Sequence, residues 1–512
     1  MATGYYAGAE NGVWAATGAW KSTLAGTTTV TAPTTGNNAF FNNNAVTAAR
    51  NVYINGAKTI LQIINNTNAV NGITIRGGTL ATPATQTLTI TGGIIQDAGS
   101  GRLTFASTCT VLINNNTSLS TQSGTLLVFD GIVQGSNITQ TGSGTVTFND
   151  ASFLASYTVN GGTCNINKAD ALGNPNTNAS FEIMTGSTTF LNVALGSTYA
   201  SGLSKLTFSG GRLVINNAGF QNISRITLTG STSSILSATL SGSFGGAELT
   251  LTNASLTVSA NAGITLTLNS GVVGSGTGNL FFGEASKTGV VTLAAVSSGV
   301  LNVPTFVNFG TVRCSTATSL GTATSTSGIS VAAQTSLELN AAVTYASRTV
   351  AISGTGSANA PNNGVLVIGN TGTNTFSGIT LGATAYIRAT ASGTITGGIL
   401  TDSATGKNLT VGAASGNTIT LSSAITGGGT LTVGNHSGDT GTVKLSASST
   451  IGNTSIAYGT AQAASTNAFG ATGTVTLSTS TTLQTLTTGG QNGKLTVAAL
   501  TNSAGGTIKI GG

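Results

Sequence analysis

Short runs in which apolar and polar residues alternate recur along the whole chain. This period-two pattern, bounded by Gly, Ser or Asn, is typical of half-buried β-strands separated by tight turns. No long stretch shows the period of an amphipathic helix. Examples of the alternating runs are residues 88–90, 103–105, 206–208, 249–251 and 431–433. The pattern therefore predicts an all-β chain.

A longer repeat of about 150 residues overlies the strand pattern. In each copy, a Gly-Thr pair is followed by a Leu-Gly or Phe-Gly pair, and a strand-like phrase lies shortly upstream. The first glycines are separated by 310 − 162 = 148 and 459 − 310 = 149 positions. The copies are Gly162-Thr163 with Leu172-Gly173, Gly310-Thr311 with Leu320-Gly321, and Gly459-Thr460 with Phe469-Gly470; the upstream phrases begin at Gly144, Gly289 and Gly441. A long repeat of slightly variable length that consists of short strands indicates an elongated, stacked architecture.

A parallel β-helix (β-solenoid) accommodates this pattern better than the alternative β folds. The helices that a doubly wound sheet needs are missing from the pattern, and 512 residues exceed the usual size of a single sandwich core. With roughly 20–25 residues per coil we expect about 20 coils, stacked ~4.8 Å apart. Four runs of Asn are expected to form side-chain ladders from coil to coil: residues 42–44, 65–66, 114–116 and 216–217.

We divide the chain into two parts. Residues 1–45 hold both Trp residues and several other large aromatics, and we interpret them as an N-terminal cap or docking segment. The alternative is that these aromatics merely fill the first coils. They are Tyr5, Tyr6, Trp14, Trp20, Phe40 and Phe41. Residues 46–512 are expected to form a continuous β-helix whose repeat units end near residues 173, 321 and 470.

Composition narrows the possible partners. Charged residues make up 5% of the chain, against about 25% in an ordinary domain. The 17 basic and 11 acidic residues are spread thinly, without a visible Lys/Arg cluster, so we expect no nucleic-acid binding. No apolar run approaches the ~20 residues of a membrane helix, so we expect no membrane insertion. Residues 1–20 lack the pattern of a secretory signal.

Residues able to support catalysis or metal binding are scarce. Cys109, Cys164 and Cys314 are separated by 164 − 109 = 55 and 314 − 164 = 150 positions, which matches neither a disulfide framework nor a zinc site, so we interpret them as buried apolar residues. His436 is the single histidine, and we interpret it as a solvent-exposed turn residue. A Ser-His-Asp arrangement that includes Asp439 has no supporting motif. We therefore predict no enzyme activity, no catalytic, cofactor-binding or metal residues, and no cofactor.

One pattern of carboxylates leaves two readings open. Asp130, Asp150 and Asp170 are each 20 positions apart, close to one coil length, so stacking could align them on one face. Clustered carboxylates could cleave glycosidic bonds or bind Ca²⁺. The alternative is that each is an ordinary turn residue, a position where Asp is common.

Several phrases resemble the strand repeats of bacterial autotransporter passengers and related large surface proteins. The phrases are residues 425–433, followed by 441–445 and 468–470; residues 142–148, followed by 157–166 and 171–173; and the opening, with Trp14, Trp20, Pro33 and Phe40. The resemblance implies a right-handed parallel β-helix used for surface display or adhesion. The chain departs from that family because it shows neither a signal sequence nor the alternating strands of a translocator barrel.

These observations favour a non-enzymatic structural protein of a phage virion, either a fibre, an appendage or a decoration protein. We expect such a protein to mediate assembly or surface attachment. The first alternative is a secreted or cell-surface bacterial adhesin of the passenger type, and the second is a glycan-degrading tailspike-like enzyme. We expect localisation at the virion surface or, in the adhesin alternative, at the bacterial cell surface or outside the cell. The expected partners are other assembly proteins through the N-terminal segment, further copies of the chain, and a host glycan or other surface.

Overall fold

A computed structural model describes most of the chain. The described residues are 3–6, 11–16, 19–21, 28–42, 49–67, 72–114, 116–172, 179–194, 203–223, 226–229, 232–246, 248–357, 363–402, 407–486, 495–503 and 505–510. The chain divides into two compact units, Met1–Ala247 and Glu248–Gly512. Both are parallel β-solenoids, and together they contain about 17 turns, against the 20 expected. Among the described residues there is one short 3₁₀ helix, Ala169–Leu172, and no α-helix.

Three ladders of parallel strands form most of the first unit. Ladder 1 contains β1 (Thr3–Tyr6), β5 (Asn38–Asn42), β7 (Lys58–Asn66), β9 (Gln86–Gln96), β11 (Cys109–Ile113), β14 (Val133–Gly135) and β17 (Ser152–Leu154). Ladder 2 starts at the second half of β9 and continues through β12 (Ser118–Thr121), β15 (Ile138–Thr141), β18 (Ser156–Asn160), β20 (Ala179–Met184), β22 (Leu203–Ser209) and β25 (Ile226–Leu228).

Ladder 3 contains β2 (Asn11–Val13), β6 (Arg50–Ile54), β8 (Ile73–Gly77), β10 (Leu103–Phe105), β13 (Leu126–Phe129), β16 (Thr145–Phe148), β19 (Gly162–Ile166), β21 (Ser187–Leu191), β23 (Arg212–Ile215) and β26 (Ser234–Ala238). Beside the ladders, β24 (Phe220–Ile223) pairs with β27 (Gly242–Gly246). The short strands β3 (Trp20–Lys21) and β4 (Thr29–Val30) pair with each other in antiparallel, and β3 pairs with β1 in the same way.

Three ladders also form most of the second unit, and three long strands each contribute to more than one of them. Ladder 4 contains β29 (Leu256–Ala260), β32 (Leu280–Phe282), β34 (Thr305–Val307), β36 (Ile329–Val331), β38 (Thr344–Gly354), β40 (Thr373–Ala389), β41 (Gly393–Leu400) and β44 (Ile425–Thr426). Outside the ladders, β28 (Leu249–Thr252) pairs with β31 (Val272–Ser275).

Ladder 5 contains β30 (Thr265–Leu268), β33 (Val290–Leu293), β35 (Thr311–Cys314), β37 (Ser336–Leu339), β39 (Leu366–Ile368), the end of β40, β42 (Leu409–Ala413), β45 (Leu431–Val433), β47 (Thr454–Ile456), β49 (Thr474–Leu477) and β51 (Ala499–Asn502). Ladder 6 combines the first residues of β38, β40 and β41 with β43 (Thr418–Leu421), β46 (Thr442–Leu445), β48 (Thr460–Ala463), β50 (Thr482–Thr485) and β52 (Thr507–Lys509).

The interior of each unit is a stack of apolar side chains, because alternate residues of most described strands point inward. The last two strands, β51 and β52, are exposed along their length. In ladder 3, Phe105, Phe129 and Phe148 lie in register on successive strands and are buried. Their rings stack nearly parallel, with centroids 5.1 and 5.3 Å apart. The predicted stacking of apolar side chains between coils is therefore confirmed.

The Gly-Thr of the long repeat forms the same turn in all three copies. Gly162, Gly310 and Gly459 have φ of 67, 73 and 69°, the left-handed region that favours glycine. The next residue donates its N–H to the carbonyl of Gly144, Gly289 or Gly441 in the preceding coil, at 2.9, 3.0 and 3.0 Å. In the second unit the two copies lie on different ladders, 5 and 6. The repeat therefore marks a local turn and not a constant face.

The N-terminal aromatics lie within the first unit. Tyr6, Trp14, Trp20 and Phe41 are buried, and Trp20 is 5.1 Å from Tyr6 and 4.8 Å from Trp14 between ring centroids. Phe40 is half-buried, and the side chain of Tyr5 lies outside the described residues. The role of residues 1–45 as a cap or docking segment stays a prediction.

Candidate functional site

A column of polar side chains follows ladder 3 along the outside of the first unit. Its members each come directly after a strand and share hydrogen bonds from coil to coil. The Nδ2 of Asn149 donates to Asp130, that of Asn167 to Asn149, that of Asn192 to Asn167, and that of Asn216 to Asn192, at 2.6–2.8 Å, and the hydroxyl of Thr239 donates to Asn216 at 2.6 Å. We call this column, Asp130–Asn149–Asn167–Asn192–Asn216–Thr239, the amide ladder.

The four predicted Asn runs had mixed outcomes. Asn216 belongs to the amide ladder, Asn65 donates to Gln96 of the next coil at 3.0 Å, and Asn116 accepts from Asn137 at 3.2 Å. Residues 43, 44 and 115 lie outside the described residues. Three of the four Asn residues in the amide ladder stand singly in the sequence and therefore belong to none of the four runs. Their position directly after an alternating strand was the available signal.

The equal spacing of Asp130, Asp150 and Asp170 does not place them in one column. Along ladder 3 the register advances by 148 − 129 = 19 and 166 − 148 = 18 residues, not 20. Asp130 therefore lies level with Asn149, and Asp150 lies level with Lys168, whose Nζ is 2.7 Å from the Asp150 carboxylate. Asp170 lies in the 3₁₀ helix, and its side chain is outside the described residues.

Lys168 also changes the titration of Asp150. Partial burial acts to raise the pKa of this carboxyl, but the hydrogen bonds from Lys168 and from the N–H of Ala151, with the charge of Lys168, outweigh it and lower the pKa. Asp150 is thus held as a charged partner of Lys168. In the sequence Lys168 stands two residues before Asp170, whereas in the fold it pairs with Asp150 of the preceding coil.

In the second unit, three polar side chains and one backbone N–H surround the buried carboxylate of Asp439. Asp439 is 1% exposed and accepts hydrogen bonds from Tyr386, from the Nε of Arg388 at 3.0 Å and from the N–H of Asn435 at 2.8 Å. The Nε2 of His436 lies 3.5 Å from Asp439, and its Nδ1 accepts the N–H of Gly438. Burial and the bond to Asp439 raise the pKa of Tyr386.

This cluster corrects one prediction. His436 does lie in a turn, but its side chain is only 25% exposed and faces Asp439, so it is not a solvent-exposed residue. The carboxylate is already occupied by Arg388 and Tyr386. We therefore interpret the cluster as a set of hydrogen bonds that holds the turn of residues 434–439 against β40.

The cysteines are buried, as predicted, and none forms a disulfide. Burial raises the pKa of Cys109 and Cys314 to about 12, and it raises the pKa of Cys164 further. Near Cys314, the fully buried Arg348 donates to the carbonyls of Ser327 and Leu320 and to the hydroxyl of Thr305. Burial lowers the pKa of Arg348 to about 10. These groups belong to the interior and not to a reactive surface.

A basic cleft lies on the outside of the first unit. Arg50, Arg76 and Arg102 line an open cleft of about 410 Å³ together with Asn51, Thr74, Thr104, Ser107 and Asp130. The arginines are 76 − 50 = 26 and 102 − 76 = 26 positions apart, so a search for local Lys/Arg clusters could not find them. The sequence shows no local Lys/Arg cluster, and the fold brings these three arginines to one cleft.

The part of the chain that the structure describes holds no group of three or more His, Cys, Asp or Glu side chains placed to bind a metal ion. In that same part, no helix has the length and apolar character needed to cross a membrane. Comparison with known proteins gave no match to a family model, to a curated protein or to a solved structure.

Proposed function

We propose that this chain is a non-enzymatic structural protein of a virion, a fibre, appendage or decoration component of a phage, which serves assembly or surface attachment. The observation that carries the proposal is the amide ladder on the outside of a parallel β-solenoid. Apart from Asp130 at one end, the ladder presents uncharged amides and a hydroxyl, a surface suited to a rigid support with many weak contacts.

The construction of both units supports a mechanical role. Backbone hydrogen bonds join neighbouring coils in both units. In the first unit, stacked inward side chains such as Phe105 and Phe129 and, from Asp130 to Thr239, the outward amide ladder add to them. Every added coil adds contacts with its neighbour, so stability grows with the number of coils. Rigidity of this kind is what a component that carries a receptor-binding surface needs.

The location of the protein, on virus particles or on bacterial cells, tests the proposal. An antibody raised against the purified chain, followed by gold labelling and electron microscopy of lysates from the source culture, should label virus particles. Label on the outer surface of intact bacteria, with none on particles, would overturn the virion role and favour the adhesin alternative. Release of oligosaccharides from host polysaccharide by the purified chain would overturn the non-enzymatic part.

A further inference from the structure

The basic cleft is built by three successive coils. Arg50 opens β6, Arg76 lies in β8, and Arg102 immediately precedes β10. Arg50 donates its backbone N–H to Gly72, and Arg102 accepts from the N–H of Ile73, so these two arginines lie on either side of the middle coil. Two coil spacings separate them by about 10 Å. The positive charges therefore line a path along the cleft and do not meet at one point.

Hydrogen bonds hold two of the guanidinium groups in place. The Nε of Arg76 donates to Asn51 at 2.9 Å, and the Nε of Arg102 donates to Thr104 at 3.0 Å. Both side chains are otherwise exposed. Among the described residues, none of the three arginines forms an ion pair with a carboxylate. Their charges are thus oriented but not neutralised.

Arg50 also lines the cleft. Its Nε atom is buried and has no hydrogen-bond partner among the described residues. A buried donor without an acceptor destabilises the fold, and more so when it is charged. What Arg50 contributes to the cleft is therefore its positive charge and its place in the lining.

The remaining lining residues define the class of ligand. Asn51, Thr74, Thr104 and Ser107 offer amide and hydroxyl groups beside the arginines, a combination that matches a molecule carrying both negative charge and hydroxyls. Bases of single-stranded nucleic acid need aromatic side chains to stack on. No aromatic side chain is among the residues that line the cleft in the described part of the chain, and nearby Tyr53 is 6% exposed.

We propose that the cleft formed by Arg50, Arg76 and Arg102 binds an acidic polysaccharide, one whose sulfate or carboxylate groups recur along the chain. The proposal rests on the attachment role above and names its ligand. Asp130, the one carboxylate of the lining, accepts from Asn149 and faces the same cleft. Its negative charge opposes an anion, so it limits affinity at that end.

Binding of a heparin oligosaccharide to the full chain, measured by calorimetry in low salt, tests the proposal. The double variant Arg76→Gln with Arg102→Gln should bind at least about tenfold more weakly, because it removes two of the three charged donors that line the cleft. Lys444→Gln with Lys509→Gln removes the same charge from the second unit and should change affinity less than about twofold. Asp130→Asn keeps the acceptor for Asn149 and should tighten binding about twofold or more.

Three results would overturn the proposal: equal loss of affinity in the two double variants, equal binding of neutral dextran, or tighter binding of a dT oligonucleotide than of heparin. Circular dichroism and the melting temperature of each variant separate loss of binding from loss of folding. Gold labelling of particles is independent of all these measurements. If particles are labelled but heparin does not bind, the ligand is wrong and the virion role stands.

Discussion

Replacement of Phe129 by Ala tests the shared interior of the coils. Phe129 is fully buried in β13, between Phe105 at 5.1 Å and Phe148 at 5.3 Å. Truncation of a buried Phe to Ala costs about 3–5 kcal/mol, since it removes apolar contacts and leaves a cavity. Because both faces of the ring stack on another ring, we expect about 4 kcal/mol, in the middle of that range.

The outward pair Phe281 and Phe306 offers a matched control. These rings also stack in register on neighbouring coils, 5.1 Å apart, but both side chains are half-exposed. Phe281→Ala therefore loses a stacking contact without opening a cavity in the core. We expect it to cost about 1 kcal/mol.

Hydrogen exchange with mass spectrometry measures the loss of stability separately for each peptide. In a solenoid each coil contacts only its neighbours, so Phe129→Ala should weaken β10, β13 and β16 first. A loss of about 4 kcal/mol corresponds to a roughly thousandfold fall in protection of those peptides. The reasoning is refuted if Phe129→Ala costs no more than Phe281→Ala, or if protection in the three strands is unchanged.

Three further predictions concern a turn, the amide ladder and the thiols. Gly310→Ala should lower the free energy of unfolding in urea by more than about 2 kcal/mol, because φ is +73° and the new Cβ would lie 2.4 Å from the Gly289 carbonyl oxygen. The control Gly416→Ala, at φ +75° in open space, should cost only about 1 kcal/mol. Equal costs would contradict the close approach. Asn167→Ala breaks two hydrogen bonds of the amide ladder and should lower the free energy of unfolding by about 2 kcal/mol. Thr239→Val, at the end of the ladder, should lower it by about half as much. An unchanged free energy of unfolding in both variants would show that the ladder does not stabilise the fold. The three buried thiols should not react with Ellman's reagent at pH 8 until the chain is unfolded, and rapid native labelling would contradict their burial.

The raised thiol pKa values also fix the sign of a pH effect. In the folded chain Cys109 and Cys314 stay protonated up to about pH 12, whereas in the unfolded chain thiols ionise from about pH 8.5. The folded state is therefore favoured below pH 8.5, and stability should fall as the pH rises above it. The expected slope is up to about 1.4 kcal/mol per pH unit for each cysteine. Urea unfolding of Cys314→Ala should show a shallower slope than the parent chain between pH 8.5 and 10, and an unchanged slope would contradict the assignment.

The strands could be predicted from the sequence because each one is a local pattern. The alternating runs at residues 103–105 and 431–433 coincide with β10 and β45. The paired glycines Gly289 and Gly310 were likewise visible as a repeated phrase, since their turn needs glycine.

The surfaces could not be predicted, because they depend on coil length. Turns absorb insertions at little cost, so coil length varies without disturbing the register of the strands. Steps of 19 and 18 residues put Asp130 level with Asn149 and Asp150 level with Lys168, where a constant step of 20 would have aligned the three aspartates. At the basic cleft the steps are 76 − 53 = 23 and 103 − 73 = 30 residues, so the even spacing of the three arginines did not show their positions in the fold either.

A density map of the purified chain by electron cryomicroscopy, at a resolution that separates strands, tests the central claim most directly. We predict parallel strands at about 4.8 Å spacing, with the rings of Phe105, Phe129 and Phe148 on three consecutive coils and an unbroken column of density from Asp130 to Thr239 outside them. Antiparallel sheets packed as separate sandwiches, or these three rings in unconnected cores, would contradict it.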